Sequence, residues 1–270
     1  MINTFNKPIT EIIKQRHSVR TYEDTLLKEE ILQKVENYIE EINNSKGVFG
    51  GKIKVNLVKK QNGDKETKVG TYGVIKGANY YLTATYNKSE ENGLYDLGYL
   101  FEKLILHLTD IGLGTVWLGG TFNKGNFAQA INLKEDELLP VVSPIGIESS
   151  KKTLISKMFG ASRNKRKDFS TIFFQYDFNA PLTYEEAGDY KEVLENVRLS
   201  PSAVNKQPWR IIKENNSFHI YNEGKMEMSK IDIGIALCHF QLSAEEKGLA
   251  GQFKVLDNKI NDNYVISWVI

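Results

Sequence analysis

Asp96-Leu97-Gly98 opens a 22-residue segment ending Gly112-Leu113-Gly114-Thr115-Val116-Trp117, and the chain carries this segment twice. The second copy runs from Asp232-Ile233-Gly234 to Gly248-Leu249-Ala250-Gly251-Gln252-Phe253. The offset is 136 residues throughout: Asp96 matches Asp232, Gly98 matches Gly234, Leu106 matches Leu242, Gly112 matches Gly248 and Trp117 matches Phe253. Each copy reads as a long apolar helix stopped by glycine and followed by a short strand. A period this long marks a duplicated domain rather than a solenoid.

The repeat extends outward less clearly. Residues 29–42 carry apolar side chains at Ile31, Leu32, Val35, Ile39 and Ile42, the spacing of a helical stripe. A polar loop at 43–47 and an alternating strand at 53–57 follow. Residues 185–199, the polar loop 200–209 and the apolar pair Ile211-Ile212 repeat that order. The join falls near Phe178-Asn179-Ala180-Pro181, and Thr183 and Glu186 have the spacing of a capping box just beyond it. The expected division is a first half over 1–180 and a shorter second half over 181–270. Further helices are predicted at 8–15 and 93–110, and strands at 78–86, 141–147, 172–176, 218–221 and 264–269. This mixture places the chain in the α+β class.

Composition removes several kinds of function. A net charge of +1 gives no reason to expect nucleic acid or an anionic membrane as partner. The single cysteine, Cys238, excludes an intrachain disulfide and points to a cytoplasmic protein. No apolar run reaches the roughly 18 residues of a membrane span, and the start shows no signal-like core. The four histidines are scattered, so no metal site is expected. His107 and His239, on the repeated helix, read as core or surface residues. Cys238 and His239 are adjacent and diverge by roughly 100° on a helix, which argues against a dyad.

Two clusters carry chemistry. Arg16, Ser18 and Arg20 place two guanidinium groups and a hydroxyl within five residues. Arginine forks bind phosphate through charge-assisted hydrogen bonds, and alternate side chains converge where the backbone is extended. Alone, the cluster reads as a solvated charged face. The loop Pro201-Ser202-Ala203-Val204-Asn205-Lys206-Gln207-Pro208-Trp209 is rigid at both prolines and rich in hydrogen-bonding groups. Alone, it reads as a structural turn with a buried tryptophan. The glycine segment Gly112 to Gly120 lacks the spacing of a dinucleotide fold or a P-loop. The first copy has no counterpart of the proline loop, and the second has none of Arg16 to Arg20. Each copy keeps the half of a site that the other lacks.

In combination, Arg-His-Ser-Val-Arg, Gly-Leu-Gly-Thr-Val-Trp-Leu-Gly-Gly and Pro-Ser-Ala-x-Asn-x-Gln-Pro-Trp resemble signatures of the nitroreductase family. Leu139-Pro140-Val141-Val142-Ser143-Pro144-Ile145-Gly146 is similar to the strand after the family's glycine segment. The basic run from Arg163 to Lys167, before Asp168-Phe169, is similar to its late flavin-phosphate contact. The resemblance covers most of residues 10–255. It implies an α+β, nitroreductase-like fold: a central, mainly antiparallel sheet with flanking helices, internally duplicated. It also implies bound flavin mononucleotide (FMN). In ordinary members the proline element follows the arginine element by a few tens of residues, and each flavin lies between two subunits. Here the two elements sit in different copies, so the resemblance implies a single-chain pseudodimer, monomeric, with one FMN.

Roles follow from the resemblance position by position. Arg16 and Ser18 would hold the phosphate and ribityl chain, with His17 alongside. Arg20 would lie near the pyrimidine end of the ring and raise its reduction potential. Ser202, Asn205 and Gln207 would reach the ribityl and ring from the other half. The backbone of Leu118, Gly119 and Gly120 would pass beside the flavin. Arg166 would close on the phosphate, with Arg163, Lys165 and Lys167 as alternative registers. Thr71-Tyr72-Gly73 would supply a further ring contact. The implied activity is ping-pong hydride transfer from NADH or NADPH to a nitroaromatic, quinone or similar small electron-poor acceptor, with no dedicated catalytic acid. The alternatives are a flavin-binding protein without reductase activity, or a related flavin enzyme performing flavin fragmentation or dehalogenation.

Overall fold

The computed structural model describes residues 5–60, 70–150, 165–257 and 261–270. Helix α1 (Ile9–Gln15) leads to α2 (Glu29–Asn44), which buries Val35, Ile39 and Ile42 from the expected stripe. Strands β1 (Ile53–Lys59) and β2 (Tyr80–Asn87) precede the long helix α3 (Gly93–Asp110). Strand β3 (Gly114–Thr115), helix α4 (Lys124–Ala130) and strand β4 (Glu137–Gly146) complete this part. After β5 (Phe173–Gln175) come α5 (Lys191–Arg198), β6 (Trp209–Glu214) and β7 (Ser217–Asn222). Helix α6 (Ser229–Glu246) and strands β8 (Gln252–Lys254) and β9 (Tyr264–Val269) follow.

The α+β class and the antiparallel character are as expected, but the strands form two sheets rather than one. The first has the order β1-β2-β4-β3. The second contains β6-β7-β9-β8, the same order in the other copy of the repeat, with β5 added at the β6 edge. Among the described strands, the β5–β6 pair is parallel and the other pairs are antiparallel. Strand β5 precedes the expected join near residue 180, yet it belongs to the second sheet.

Helices α3 and α6 cross between the sheets, and the repeated glycines set how closely. A Cβ at Gly98 would collide with the Ile231 carbonyl, and one at Gly234 with the Tyr95 carbonyl. The two helices also stop in the same way. Gly112 and Gly248 both take positive φ, 83° and 68°. Leu113 N–H then donates to Leu108 at 2.8 Å, and Leu249 N–H to Ala244 at 2.9 Å. These are matching bonds at the 136-residue offset, and glycine adopts the left-handed conformation without a Cβ penalty. One core cluster joins both sheets through this crossing, with a smaller one around Tyr22, Val116 and Phe127.

Two local expectations need correction. The helix predicted over 185–199 is a 3-10 turn at Gly188–Tyr190 followed by α5. Gly188 has φ +64°, which breaks the helical path. The capping box does form: Thr183 Oγ1 donates to Glu186 at 2.6 Å, and Glu186 N–H donates back at 3.3 Å. It closes the turn upstream of the break instead of the N-terminus of α5. Among the described residues, no helix is long and apolar enough to cross a membrane.

Candidate functional site

The segment after α1 is threaded between β3 and the stretch that leads into β2. Val19 N–H donates to Thr115 at 2.8 Å, and Tyr22 N–H to Lys76 at 2.8 Å. This extended path sends neighbouring side chains to opposite sides. Ser18 and Arg20 line one cavity, whereas Arg16 and His17 line a small neighbouring cleft with Gly112, Leu113 and Glu148. The expected convergence therefore covers Ser18 and Arg20 but not Arg16. The Arg16 side chain lies 3.9 Å from the fully buried Glu102. Glu102 also meets His239 at 3.0 Å and accepts from Trp117 Nε1 at 2.8 Å. His17 Nε2 pairs with Glu148 at 2.7 Å.

The cavity that takes Ser18 and Arg20 is closed on its other side by Pro201, Ser202, Ala203 and Val204. The two distant motifs thus share one wall-to-wall space. Trp117, Gly119, Val141 and the α6 residues Met228, Ile231, Asp232 and Ile235 complete it. Its volume is about 160 Å³, and an adjoining pocket of about 380 Å³ shares Gly119 and Met228. Ligand pockets span roughly 300–1,000 Å³, so the pair reaches that range and the first cavity alone does not.

Leu118 is buried, and its backbone bonds reciprocally with Val142 at 2.9 and 3.0 Å. That bridge pins Gly119 and Gly120, which are exposed. A Cβ on Gly120 would meet nothing within 4 Å, and one on Gly119 only the Met228 methyl at 3.5 Å. The backbone here leaves a space that a side chain would occupy.

The proline loop is held in an unusual shape. Val204, Asn205 and Gln207 all have positive φ, at 45°, 57° and 49°. For a β-branched residue such as Val204 this is a genuine outlier, and such strain clusters at functional sites. Several bonds impose it. Gln207 N–H donates to Ser202 Oγ at 2.9 Å, and Asp232 accepts from Ala203 N–H at 3.0 Å. Arg166 donates to the carbonyls of Ser200 and Leu199 at 2.6 and 2.8 Å, and to Asn205 Oδ1 at 3.3 Å. Asn205 Nδ2 donates to the Lys165 carbonyl at 2.8 Å, and Lys167 N–H to Gln207 Oε1 at 2.9 Å. Arg166, Asn205 and Gln207 therefore brace the loop, while Ser202 stands on the cavity wall. Thr71, Tyr72 and Gly73 do not line it, and Arg163 lies outside the described residues.

Charge around the loop is concentrated and partly desolvated. Burial lowers the Lys167 pKa, helped by the cations Arg210 and Lys206. Burial likewise lowers that of Arg20, with Tyr22 opposing. Asp232 is pushed up to about 7 by burial, against the bond from Ala203.

The model of the family described as "Putative TM nitroreductase" matches residues 8–244. The chain belongs to this family. Among solved structures, this nitroreductase family member is similar to a putative nitroreductase from Thermotoga maritima. They share 20% identity and a TM-score of 0.63, with 100% of this chain and 96% of that one covered. That likeness shows the fold. It is also similar, at 18% identity and TM-score 0.42, to an FMN-dependent nitroreductase from Clostridium difficile R20291, over 53% of this chain and 88% of that one. A nitroreductase family protein from Clostridium difficile 630 matches at 19% identity and TM-score 0.43, over 55% and 88%. No functionally curated protein matches the chain.

The donor set fits a flat ligand with polar edges: a cation at Arg20, hydroxyls at Ser18 and Ser202, and open backbone at Gly119-Gly120. Sequence reasoning missed Asp232, Met228 and Trp117 as cavity residues. A signal existed for Asp232, an acidic residue inside an apolar helix, but the same feature in Asp96 made it look like a mere marker of the repeat. No group of three or more metal-ligating side chains occurs among the described residues.

Proposed function

We propose that this nitroreductase family member is an FMN-dependent oxidoreductase that uses NADH or NADPH to reduce nitroaromatics, quinones or similar electron-poor small molecules. One observation carries the reading: Ser18 and Arg20, from the start of the chain, line the same cavity as Ser202, some two hundred residues later. A single chain here supplies both walls, consistent with a pseudodimer that binds one FMN. Bound FMN supplies two-electron hydride chemistry. Ser18 and Ser202 offer hydroxyls to its polar chain, and Arg166 steadies the loop that carries Ser202. The Arg20 guanidinium, half-buried, offers positive charge where negative charge develops on reduction, and such a fixed charge is strongest in a partly water-excluded site. Gly119 and Gly120 leave room for a ring, and Trp117 and Ile235 exclude water from one side.

Purified protein titrated with FMN should quench flavin fluorescence at a 1:1 ratio. Anaerobic NADH or NADPH should then bleach the flavin band, and a quinone or nitroarene should restore it. A protein that takes up no FMN overturns the proposal. One that takes it up but is bleached by neither nicotinamide is a flavin binder without this activity.

A further inference from the structure

The duplication provides an internal control for one residue of the cavity. Asp96 and Asp232 open the two copies of the repeated helix, and both reach a loop that follows the preceding helix. Asp96 uses both carboxylate oxygens there: Oδ1 accepts from Phe49 N–H at 2.8 Å and Oδ2 from Gly51 N–H at 2.8 Å. Asp232 uses one. Its Oδ1 accepts from Ala203 N–H at 3.0 Å, and no described residue donates to Oδ2. The residue is only 5% exposed, and it lines the cavity of Ser18, Arg20 and Ser202. A buried carboxyl with one oxygen committed to the fold and the other facing a ligand space is poorly placed to be a mere loop clasp.

The charged groups around it are few. Among the described residues, Arg20 is the other ionisable side chain on the cavity wall; Trp117, Gly119, Val141 and the loop residues Pro201 to Val204 bring none. On its own helix, Ile231 and Ile235 flank it and Lys230 pairs with Glu227 at 3.9 Å, while Glu227, just before that helix, and Lys124, on α4, line only the adjoining pocket. Desolvation therefore dominates and favours the neutral acid, whose pKa is pushed up to about 7.

We propose that Asp232 holds a proton at Oδ2 and donates it to the acceptor reduced in this cavity. The proposal rests on the reductase reading above, and adds to it an acid that the sequence did not suggest. Two-electron reduction of a quinone consumes one hydride equivalent, drawn from the reduced nicotinamide, and one proton. As the quinone oxygen forms its O–H bond, the Oδ2–H bond breaks, the carboxylate retains the electron pair, and water reprotonates it. The acceptor class is thus one with an oxygen that needs protonating, rather than one that accepts electrons alone.

Carboxyl-carbon NMR of the labelled protein without added cofactor tests the proton directly and needs no variant. One aspartate resonance should titrate near neutral pH, disappear in Asp232→Asn and persist in Asp96→Asn. The asparagine carbonyl can still accept from Ala203, so the first variant keeps the loop bond. If all carboxyls titrate in the ordinary acidic range, or the neutral resonance survives Asp232→Asn, the proposal is overturned. In FMN-loaded protein, Asp232→Asn should slow reoxidation by benzoquinone at least tenfold at pH 6.5 and remove its decline toward pH 8.5. Unchanged rate and pH profile would also overturn it. Failure of wild-type protein to bind FMN, or to be bleached by either nicotinamide, is a failure of the reductase reading, and is seen before any quinone is added.

Discussion

Arg16 and Arg20 lie four residues apart and meet opposite surroundings, so their removal should be felt in different quantities. Arg16→Ala leaves Glu102 buried without its arginine, and breaking a buried pair costs about 3 kcal/mol or more of stability. Arg20→Ala should lower the melting temperature less than Arg16→Ala, but weaken FMN binding by about 1.5–3 kcal/mol, the worth of a charge-assisted hydrogen bond. Thermal unfolding and flavin fluorescence titration of both variants check the contrast. An Arg16→Ala protein of normal stability that binds FMN poorly would reverse the assignment. His107 makes a second prediction at this scale. It is stacked between Phe5 and Tyr38, at 4.1 and 4.4 Å, and burial lowers its pKa to about 4, aided by Lys103 and opposed by Asp110. The folded state thus resists protonating a group that the unfolded chain protonates near 6.5. Stability is full above that value and falls as pH drops toward 4, by about 3 kcal/mol in all. In His107→Gln the urea midpoint should change less between pH 7 and 4 than in wild type. An equal change would show that His107 is not the group responsible.

At the scale of elements, the crossing of α3 and α6 is the contact that tolerates least. Alanine at Gly98 would gain up to about 1 kcal/mol in helix propensity. Its Cβ would meet the backbone of α6, which cannot move aside as a side chain can, and overpacking of this kind costs about 1–3 kcal/mol or more. The steric term wins, so Gly98→Ala and Gly234→Ala should each lower the melting temperature, whereas Gly120→Ala, which meets open space, should not. Calorimetry on the three variants decides this. Equal effects at Gly98 and Gly120 would mean that the helices do not cross at the repeated glycines. Both helices, their glycine stops and most strands were legible in the sequence because each depends on local periodicity and on left-handed glycines. The break at Gly188 was not, because the apolar spacing of 185–199 continues across it. The two halves of the candidate site were legible as motifs, but the fate of individual side chains was not. Arg16 meets Glu102 and Asn205 meets Lys165 through contacts far apart in the chain, which no local pattern encodes. The open oxygen of Asp232 emerges only when the two loops are compared in space.

Across the whole molecule, the division at residue 180 conflicts with how the parts are packed. Strand β5 precedes that point and completes the second sheet, and the main core draws Leu82 and Val141 from one sheet and Phe218 and Ile266 from the other. We infer that the two halves unfold as one cooperative unit, since neither can bury its long helix without the other. The three tryptophans allow a test. Trp117 lies beside the first sheet, edge-on to Phe101 at 5.0 Å. Trp268 lies in β9, its Nε1 donating to the Tyr190 hydroxyl at 3.1 Å. Variants that keep only Trp117 or only Trp268, with phenylalanine elsewhere, report on opposite ends. In each variant, urea unfolding followed by tryptophan fluorescence and by far-ultraviolet circular dichroism should give coincident midpoints and slopes, the mark of an all-or-none transition. Independent halves predict instead that each tryptophan follows only part of the dichroism change. Because the comparison is made within each variant, the stability lost on replacing a buried tryptophan shifts both curves equally. It cannot mimic a separation between them.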